Sequence, residues 1–326
     1  MKSISVFLIG LLLFSCNQTK KQPIMNQKIV IAHRGASGYL PEHTLEAKAM
    51  AHAMNADFIE QDLVLSKDDI PIVIHDIYLD DVTDVATKFL DRKRNDNRYY
   101  VIDFTFDELK ALRVTERFNP KTGEQFYPNR FPKNKGNFKL HSLQEEIELI
   151  QGLNKSTSKN IGIYPEIKEP EFHRKEGKNL TEIVLKVLSE YGYKTKKDHC
   201  ILQCFDAKEL ERIRTELQSE LFLVQLIEFP EETEQLEHFA TYADGIGPYY
   251  KQILSEKIND KFTFTSLVSD AHQLGLKVHP YTFRADSLDE FSSFEEMMQT
   301  LLIDANIDGC FTDFPDLVVN FLKDKL

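Results

Sequence analysis

Two histidines and an arginine stand at the ends of apolar, β-prone runs in this sequence. His33 and Arg34 directly follow the run 28–32, and His75 ends the run 70–75. An imidazole exchanges a proton near neutral pH, and a guanidinium binds a phosphate through two parallel hydrogen bonds. Two histidines together supply an acid and a base, so the pattern indicates acid–base chemistry beside a group that can bind an anion. Each motif alone would also fit a loop histidine and a surface arginine.

Four charged residues on or directly after two further β-prone runs indicate a cation site. Glu60 and Asp62 are separated by one residue, and so are Glu166 and Lys168. Side chains alternate along a strand, so each pair points to one face. Carboxylates in an apolar strand are costly to bury unless they bind a cation or a partner, and an all-oxygen ligand set suits Ca²⁺ or Mg²⁺. Glu60, Asp62 and Glu166 are therefore the predicted metal ligands; the alternative is a buried ion pair between Glu166 and Lys168.

The elements that position these residues alternate along the chain. Short β-prone runs are followed by longer stretches of helical periodicity, which predicts βαβ units around a parallel sheet. The β-prone runs are 28–32, 57–65, 70–75, 161–166, 201–204, 221–226, 245–247, 277–281 and 309–312. The helical stretches are 44–54, 143–153, 180–191, 207–217, 231–240, 266–274 and 294–306. Roughly eight such units predict an α/β fold, the TIM-type (β/α)8 barrel, whose strand ends and following loops carry the active site.

The segment 77–139 interrupts this alternation. It is polar, charged and aromatic, and it is too long for an ordinary connection within a compact domain. We interpret it as a small inserted domain after the second β segment, with a short helix near 106–112. The charge run at 91–94 is interpreted as solvated surface rather than as a binding patch.

Length and charge restrict the class of protein. A chain of 326 residues is long enough for two ordinary domains or one large α/β barrel, and 42% hydrophobic residues suffice for a substantial core. The formal net charge of -12 argues against a general nucleic-acid binder, because phosphate backbones favour basic faces. An anionic substrate would then be held by a local site, for which a metal ion and one or two arginines suffice.

The first residues predict export. A lysine at position 2 precedes a short apolar run over 6–14, and a small residue, Ser15, stands before Cys16. The run is too short to span a bilayer, so residues 1–15 are interpreted as a signal peptide. Cys16 fits a bacterial lipoprotein cleavage and acylation site, followed by a flexible tether over 16–27 and a folded domain over 28–326. The alternative is an ordinary signal peptide with an incidental cysteine.

The remaining cysteines, Cys200, Cys204 and Cys310, are predicted to be small buried thiols. An odd number in an exported protein makes a full disulfide framework unfavourable. Cys200 and Cys204 are four positions apart along one probable strand, which is too far for a bond between their sulfurs. No nearby histidine or second cysteine pair suggests zinc.

Short motifs lie at the predicted strand ends from Lys28 onward. They are His33-Arg34-Gly35 with Pro41-Glu42-His43-Thr44, Glu60-Gln61-Asp62, His75-Asp76, Pro165-Glu166-Ile167-Lys168, Gln203-Cys204-Phe205, His279-Pro280-Tyr281-Thr282 and Thr312-Asp313-Phe314-Pro315. Jointly they resemble the motifs of the bacterial periplasmic glycerophosphodiester phosphodiesterases. The resemblance covers nearly the whole chain from Lys28, insertion included.

The resemblance implies a metal-dependent barrel enzyme that hydrolyses glycerophosphodiesters to sn-glycerol 3-phosphate and an alcohol. It implies that His33 and His75 are the acid–base pair, that Arg34 binds the phosphate and that Lys168 adds positive charge there. The three carboxylates would bind one divalent cation, with Ca²⁺ expected for an exported member and Mg²⁺ as the alternative. The expected location is periplasmic, with membrane contact only through the lipid anchor and no nucleic-acid partner. The nucleophile, water or a hydroxyl of the substrate, stays open, as does the preferred head group.

Other residues of these motifs have less defined roles. Phe205 and Tyr281 are candidates for lining the glycerol side of the pocket or for ordinary barrel filling, and the Tyr281 hydroxyl is expected to face the site. Glu42 is expected to approach the metal or to orient Arg34. Asp313 is expected to cap the final helix rather than to take part in the site.

Two other functions fit parts of the pattern. A phospholipase D-like or C-like enzyme acting on intact lipids would use the same barrel and metal, but it would need an exposed apolar surface at the mouth. The aromatic residues of the insertion could supply that surface, although a packed small core explains them more simply. A non-catalytic lipoprotein that binds glycerophosphodiesters would have no need for a paired acid and base.

Overall fold

The computed structural model describes residues 28–325. The predicted signal peptide, the acylation site at Cys16 and the tether lie outside the described residues. Between residues 28 and 325, no helix is both long and apolar enough to cross a membrane. Cys200, Cys204 and Cys310 are buried and form no disulfide, as predicted.

Eight parallel strands form a nearly closed barrel, which confirms the predicted fold class. In chain order the strands are β1 Ile29–Ala32, β2 Phe58–Leu65, β3 Pro71–Val73, β4 Gly162–Ile167, β5 Ile201–Cys204, β6 Phe222–Ile227, β7 Gly245–Pro248, β8 Leu254–Ile258, β9 Lys261–Phe264, β10 Lys277–Val278 and β11 Gly309–Thr312. The barrel order is β10-β7-β6-β5-β4-β2-β1-β11. Main-chain bonds from Phe311 N to Pro280 O and from Phe283 N to Phe311 O, 3.0 and 2.8 Å long, join the chain after β10 to β11 at the seam.

The helices surround this sheet. The α-helices are α1 Leu45–Ala53, α2 Val85–Lys88, α3 Phe106–Ala111, α4 Leu143–Thr157, α5 Pro170–Lys175, α6 Leu180–Glu190, α7 Ala207–Thr215, α8 Leu236–Phe239, α9 Leu267–Gln273, α10 Phe294–Met298 and α11 Pro315–Lys325. Shorter 3-10 segments are Val101–Asp103, Pro230–Gln235 and Tyr250–Gln252, and a π-helical segment covers Gln299–Asp304. Thr44 caps α1 through its side chain, and Ser142 with Glu145 forms a capping box that begins α4.

Alternation along the strands separates the barrel interior from the helix layer. One apolar cluster has members from β1, β2, β4, β5, β6 and β11 and lies apart from the cluster that packs under the helices; it contains Ile29, Ile31, Phe58, Tyr164, Ile201, Val224 and Phe311. On β2, Glu60 and Asp62 point to the same side as Phe58, because side chains two residues apart share a face. The interior is therefore apolar at the amino ends of the strands and acidic at their carboxyl ends.

The segment 77–139 has an apolar cluster of its own. Its buried side chains are Leu79, Val82, Val85, Tyr99, Val101, Phe104, Leu109, Leu112, Val114 and Phe138. Val64 of β2 and Ile72 of β3 pack into the same cluster. The inserted segment is therefore fixed to the strand that carries Glu60 and Asp62.

The charge run at 91–94 is not simply solvated. The guanidinium of Arg92 lies 4.4 Å from the ring centroid of Phe104, and that of Arg94 lies 4.1 Å from the centroid of Tyr100. Arg94 also pairs with Glu176, directly after α5, at 2.6 Å. The two ring contacts lie within the insertion, and the pair with Glu176 attaches it to the barrel.

One local prediction from the sequence is wrong, and one pair of strands was not predicted. The run 70–75 is not a barrel strand: its residues 71–73 form β3, which pairs antiparallel with β2. The stretch 254–264, which shows no strand pattern, forms the antiparallel hairpin β8–β9. The apolar run 70–75 predicts a strand but not the direction in which that strand pairs. The strand β8 is largely exposed, so it lacks the hydrophobic pattern by which strands are recognised.

A buried imidazole in the barrel interior makes the stability of the fold depend on pH. His279 lies with Nδ1 3.0 Å from the Tyr164 hydroxyl, and burial lowers its pKa from 6.5 to about 4. Between these values the unfolded chain binds the proton and the folded chain does not, so the free energy of unfolding falls as the pH falls. We expect His279→Asn to reduce that loss by up to about 3 kcal/mol.

Urea unfolding at pH values of about 7 and about 4.5 measures this difference. His238→Asn, at a half-exposed position on α8, is the matched control. An equal pH dependence in wild type and His279→Asn would contradict the prediction.

Candidate active site

The carboxyl ends of the barrel strands surround a cavity of about 200 Å³. The side chains predicted for the site within the described residues all line it: His33, Arg34, Glu60, Asp62, His75, Glu166, Lys168, Phe205 and Tyr281. They belong to β2 and β4 or follow β1, β3, β4, β5 and β10. Parallel strands bring such ends together at one face of a barrel, although the residues are far apart in the sequence.

Three carboxylates are buried together in this cavity. Burial and the nearby Asp62 raise the pKa of Glu60 well above its ordinary value, and burial raises the pKa of Glu166 to about 8. Although burial opposes it, Lys168 holds the pKa of Asp62 well below its usual range. Glu60 and Glu166 thus resist ionisation next to an ionised Asp62. A bound cation would favour the ionised form of all three by offsetting their mutual repulsion. The oxygen-only donor set fits a hard divalent cation.

Lys168 provides part of the compensating charge. Its Nζ lies 2.8 Å from Glu166 Oε1 and 3.6 Å from Asp62 Oδ1. The ion pair that the sequence offered as an alternative is therefore present. One ammonium shared between two carboxylates does not account for Glu60, whose Oε2 instead accepts the main-chain N–H of Arg34 at 2.5 Å.

His43 has a role at this site that the sequence did not reveal. The ligand atoms of His43, Glu60 and Asp62 lie within 4.8 Å of one another. Lys48 Nζ lies 3.2 Å from His43 Nδ1, and an ammonium can only donate, so Nδ1 accepts and Nε2 carries the proton. Nε2 donates to Asp62 Oδ2 at 2.8 Å, and burial lowers the pKa of His43 to about 3. The neutral ring therefore orients Asp62, as hydrogen-bonding partners orient metal ligands.

Arg34 offers the cavity a donor without a partner. Its backbone is left-handed, with φ 57, and its NH1 donates to Glu42 Oε2 at 3.0 Å. Its Nε is buried and makes no hydrogen bond, with Asp62 Oδ2 3.6 Å away. A phosphate oxygen in the cavity would satisfy this N–H. The contact with Glu42 fits the predicted orienting role of that residue.

His33 is paired with an aspartate from the other end of the chain. Its Nδ1 lies 2.6 Å from Asp313 Oδ1. Although burial opposes it, Arg284 keeps the pKa of Asp313 well below its usual range, so Asp313 is an ionised acceptor and Nδ1 carries the proton. Burial and Arg34 lower the pKa of His33 to about 4, which leaves Nε2 unprotonated. The expectation that Asp313 only caps the final helix is therefore wrong.

His75 has the same arrangement with its sequence neighbour. Its Nδ1 lies 2.8 Å from Asp76 Oδ1. Although burial opposes it, the hydrogen bond from His75 lowers the pKa of Asp76, while burial and Arg34 lower the pKa of His75 to about 4. Both histidines thus have a carboxylate on Nδ1 and retain Nε2 for proton transfer.

An aromatic wall closes one side of the cavity. The ring centroids of Phe205 and Tyr281 are 5.8 Å apart, and Lys168 Nζ lies 5.6 Å from the centroid of Phe205. The Tyr281 hydroxyl donates to Ile227 O at 2.9 Å, so, against expectation, its proton is committed to the main chain. Gln203 lines the same cavity with a buried Oε1 that accepts no hydrogen bond, an acceptor that the sequence analysis missed.

A second cavity, of about 350 Å³, adjoins the first on the side of the inserted segment. The two cavities have His33, Arg34, His75 and Arg284 in common. The inserted segment supplies one wall of the outer cavity through Arg117, Phe126, Tyr127 and Arg130. A ligand whose centre contacts the shared residues can therefore extend into both cavities.

Comparisons with known proteins point to a single family. The model of the glycerophosphoryl diester phosphodiesterase family matches residues 33–317. The chain is 46% identical to the glycerophosphodiester phosphodiesterase of Haemophilus influenzae over 95% of this chain and 93% of that protein. It is 36% identical to the glycerophosphodiester phosphodiesterase of Treponema pallidum, over 91% and 92%. A phosphodiesterase of Oleispira antarctica, solved in complex with the product sn-glycerol-3-phosphate, shares the fold with a TM-score of 0.63 at 22% identity, over 91% of this chain and 97% of that one.

The buried carboxylates predict that a divalent cation stabilises the folded protein. A cation bound only by the folded state adds about 2.7 kcal/mol at a hundredfold excess over Kd, so we expect Ca²⁺ or Mg²⁺ to raise the melting temperature. Asp62→Asn should abolish the increase. Asp107→Asn, which removes an exposed carboxylate of α3, is the control and should retain it. A wild-type melting temperature that neither ion changes would exclude the site.

Proposed function

This chain belongs to the glycerophosphodiester phosphodiesterase family, and we propose that it releases sn-glycerol 3-phosphate and an alcohol with His33 and His75 as its acid–base pair. The chain is a glycerophosphodiester phosphodiesterase, because it shares 46% and 36% sequence identity with enzymes of that name over most of its length. The observation that carries the proposal is the pairing of each histidine with a carboxylate through Nδ1, beside the unpartnered Nε of Arg34.

The residues divide the chemistry between them. A phosphodiester resists attack because the charge on its non-bridging oxygens repels a nucleophile. Arg34 binds one of these oxygens and Lys168 neutralises charge on another, which lowers that repulsion where it matters most, in the transition state. One histidine accepts the proton of the attacking hydroxyl on its unprotonated Nε2. The other must first take up a proton on Nε2, next to the bound phosphate anion, and then donates it to the leaving alkoxide.

The proposed cofactor is one divalent cation, Ca²⁺ in preference to Mg²⁺. Glu60, Asp62 and Glu166 would hold it, and the hydrogen bond from His43 supports Asp62 in that role. A bound cation supplies Lewis-acid stabilisation of the negative charge on the phosphate. The chain itself keeps the three carboxylates in one place, through the bond from the Arg34 main chain to Glu60 and the pairs that Lys168 makes.

The two cavities suit the two halves of a glycerophosphodiester. The inner cavity is the smaller, and its carboxylates and the free Oε1 of Gln203 offer acceptors for the hydroxyls of glycerol. The outer cavity is larger and has a wall from the inserted segment, so it suits an alcohol of variable size. The scissile phosphate then lies against the shared residues His33, Arg34 and His75.

An intact phospholipid is the second candidate substrate. Phe126 lines the outer cavity and is 56% exposed, and an exposed apolar side chain at the mouth is what an acyl chain would contact. Other aromatic residues of the insertion, such as Tyr99, Phe104 and Phe138, are buried in its own cluster, which supports the packed-core explanation and the smaller, deacylated substrate.

Release of sn-glycerol 3-phosphate from glycerophosphocholine tests the proposal. We expect chelation to abolish turnover and Ca²⁺ to restore it, and we expect His33→Ala and His75→Ala to lower kcat by roughly 10²- to 10⁴-fold. His238→Ala, on the barrel surface, is the matched control. Full turnover in either active-site variant would remove that histidine from the mechanism. Faster hydrolysis of intact phosphatidylcholine would overturn the substrate assignment.

We also propose that residues 1–15 are a signal peptide and that Cys16 carries lipid, which would attach the barrel to a bacterial membrane on its periplasmic side. The sequence pattern at Ser15-Cys16 supports this. Expressed with its leader, the wild-type protein should partition into detergent, whereas Cys16→Ser should stay in the aqueous phase because it lacks the acylated thiol. Asn17→Ser is the control. Equal partitioning of all three proteins would exclude acylation at Cys16.

A further inference from the structure

Both catalytic histidines depend on the inserted segment in a way that their motifs do not show. We propose that Arg117 and Arg130 are positioning residues for His75 and His33, and that they act through the carboxylates that hold each Nδ1. The inference rests on the proposed acid–base roles of the two histidines. It makes the insertion part of the catalytic apparatus rather than only a wall of the outer cavity.

Arg117 completes the first arrangement. Its NH1 donates to Asp76 Oδ2 at 2.7 Å, while Asp76 Oδ1 accepts from His75. Its NH2 and Nε bind the two oxygens of Glu42 at 2.6 and 3.1 Å, and Glu42 in turn accepts from Arg34. One guanidinium of the insertion therefore fixes the partner of a catalytic histidine and the partner of the phosphate-binding arginine.

Arg130 completes the second arrangement. Its NH2 donates to Asp313 Oδ2 at 2.7 Å, while Asp313 Oδ1 accepts from His33. Nε and NH2 also donate to the two oxygens of Asp286, and NH1 donates to the Ser37 carbonyl, so the side chain is anchored on several sides. Only 5% of it is exposed.

The atoms correspond in the two cases. Each aspartate binds its histidine through Oδ1 and the inserted arginine through Oδ2. A carboxylate held at one oxygen can rotate about its own axis, whereas a second, charge-assisted bond at the other oxygen fixes its plane and with it the imidazole. Displacements of about 1 Å in a catalytic group are enough to lower a rate a hundredfold.

The two arginines differ in how much else supports their carboxylates. Asp313 Oδ2 also accepts from Arg284 Nε, a residue of the barrel, at 2.8 Å. The contacts that the structure describes give Asp76 no second arginine besides Arg117. Removal of Arg117 should therefore disturb its histidine more than removal of Arg130.

Steady-state kinetics on Arg117→Gln and Arg130→Gln test the inference. We expect kcat for glycerophosphocholine to fall by about 10- to 100-fold in Arg117→Gln and by less in Arg130→Gln, less than the roughly 10²- to 10⁴-fold lost with the histidine itself. Lysine at either position keeps the charge but not the planar fork, so it should restore only part of the activity. Arg94→Gln is the matched control, because Arg94 also ties the insertion to the barrel, through Glu176, but contacts no residue of the site.

Two further measurements separate positioning from mere attachment. A p-nitrophenyl ester of glycerol phosphate needs no proton on its leaving group, so its hydrolysis does not need the catalytic acid. The arginine variant whose histidine is that acid should therefore lose much less kcat on this ester than on glycerophosphocholine. Glu42→Gln weakens the support of Arg34 but leaves Asp76 bound to Arg117, so it should raise KM. The arginine variants should lower kcat, and Arg117→Gln should also raise KM because Arg117 holds Glu42.

The outcomes are distinct from those for the proposed function. If His33→Ala and His75→Ala lose turnover but both arginine variants keep wild-type kcat, only this inference is overturned. It is also overturned if Arg94→Gln loses as much kcat as they do, or if the arginine variants change KM alone. An equal loss on the alkyl and p-nitrophenyl substrates in both variants would exclude an action through the catalytic acid. Melting temperatures identify any variant that fails to fold, and the lysine variant then replaces it.

Discussion

Three carboxylates that share one buried cavity are the constraint on which the surrounding structure depends. Like charges repel more strongly away from water, so Glu60, Asp62 and Glu166 can lie together only where positive groups and donors face them. Lys168 lies against two of the acids, and Arg34 holds Glu60 through its main chain and approaches Asp62 through its side chain. Arg34 and Lys168, which would bind a phosphate, thus also offset the repulsion among the three carboxylates.

The same constraint extends behind the strand that carries two of the acids. Lys48 is fully buried; its Nζ donates to the Glu60 carbonyl and lies 3.2 Å from both His43 Nδ1 and Glu146 Oε1. Glu146 also accepts from His141 at 2.7 Å. Lys48 belongs to α1 and Glu146 to α4, so a buried charge network joins two helices of the outer layer to the back of β2. The packing of these helices is therefore coupled to the position of Glu60, because removing one partner of a buried ion pair leaves the other charge uncompensated.

The sequence predicts those parts of this arrangement that follow from local geometry. Alternation along a strand is enough to put Glu60 and Asp62 on one face, and the succession of strands and helices is enough to predict the barrel. The pairing of His33 with Asp313 spans 280 residues and exists only because β11 lies beside β1, so no local pattern contains it. Likewise the run 70–75 has strand composition but no feature that specifies its antiparallel pairing. What the sequence leaves out is the identity of partners across the fold.

The inserted segment supplies two arginine side chains that are held in place by packing. Strand ends hold short side chains rigidly, but a long arginine at a loop edge is free to move unless something packs around it. Here the guanidinium of Arg130 lies 3.6 Å from the ring centroid of Tyr127, and the cluster beneath the insertion includes Val64 of β2. The insertion is thus fixed to the strand that carries Glu60 and Asp62. The strands thus hold the charged groups of the inner cavity, and the insertion forms one wall of the outer cavity. The wall can then vary without disturbing the acids, provided that the arginines that reach back to Asp76 and Asp313 stay in place.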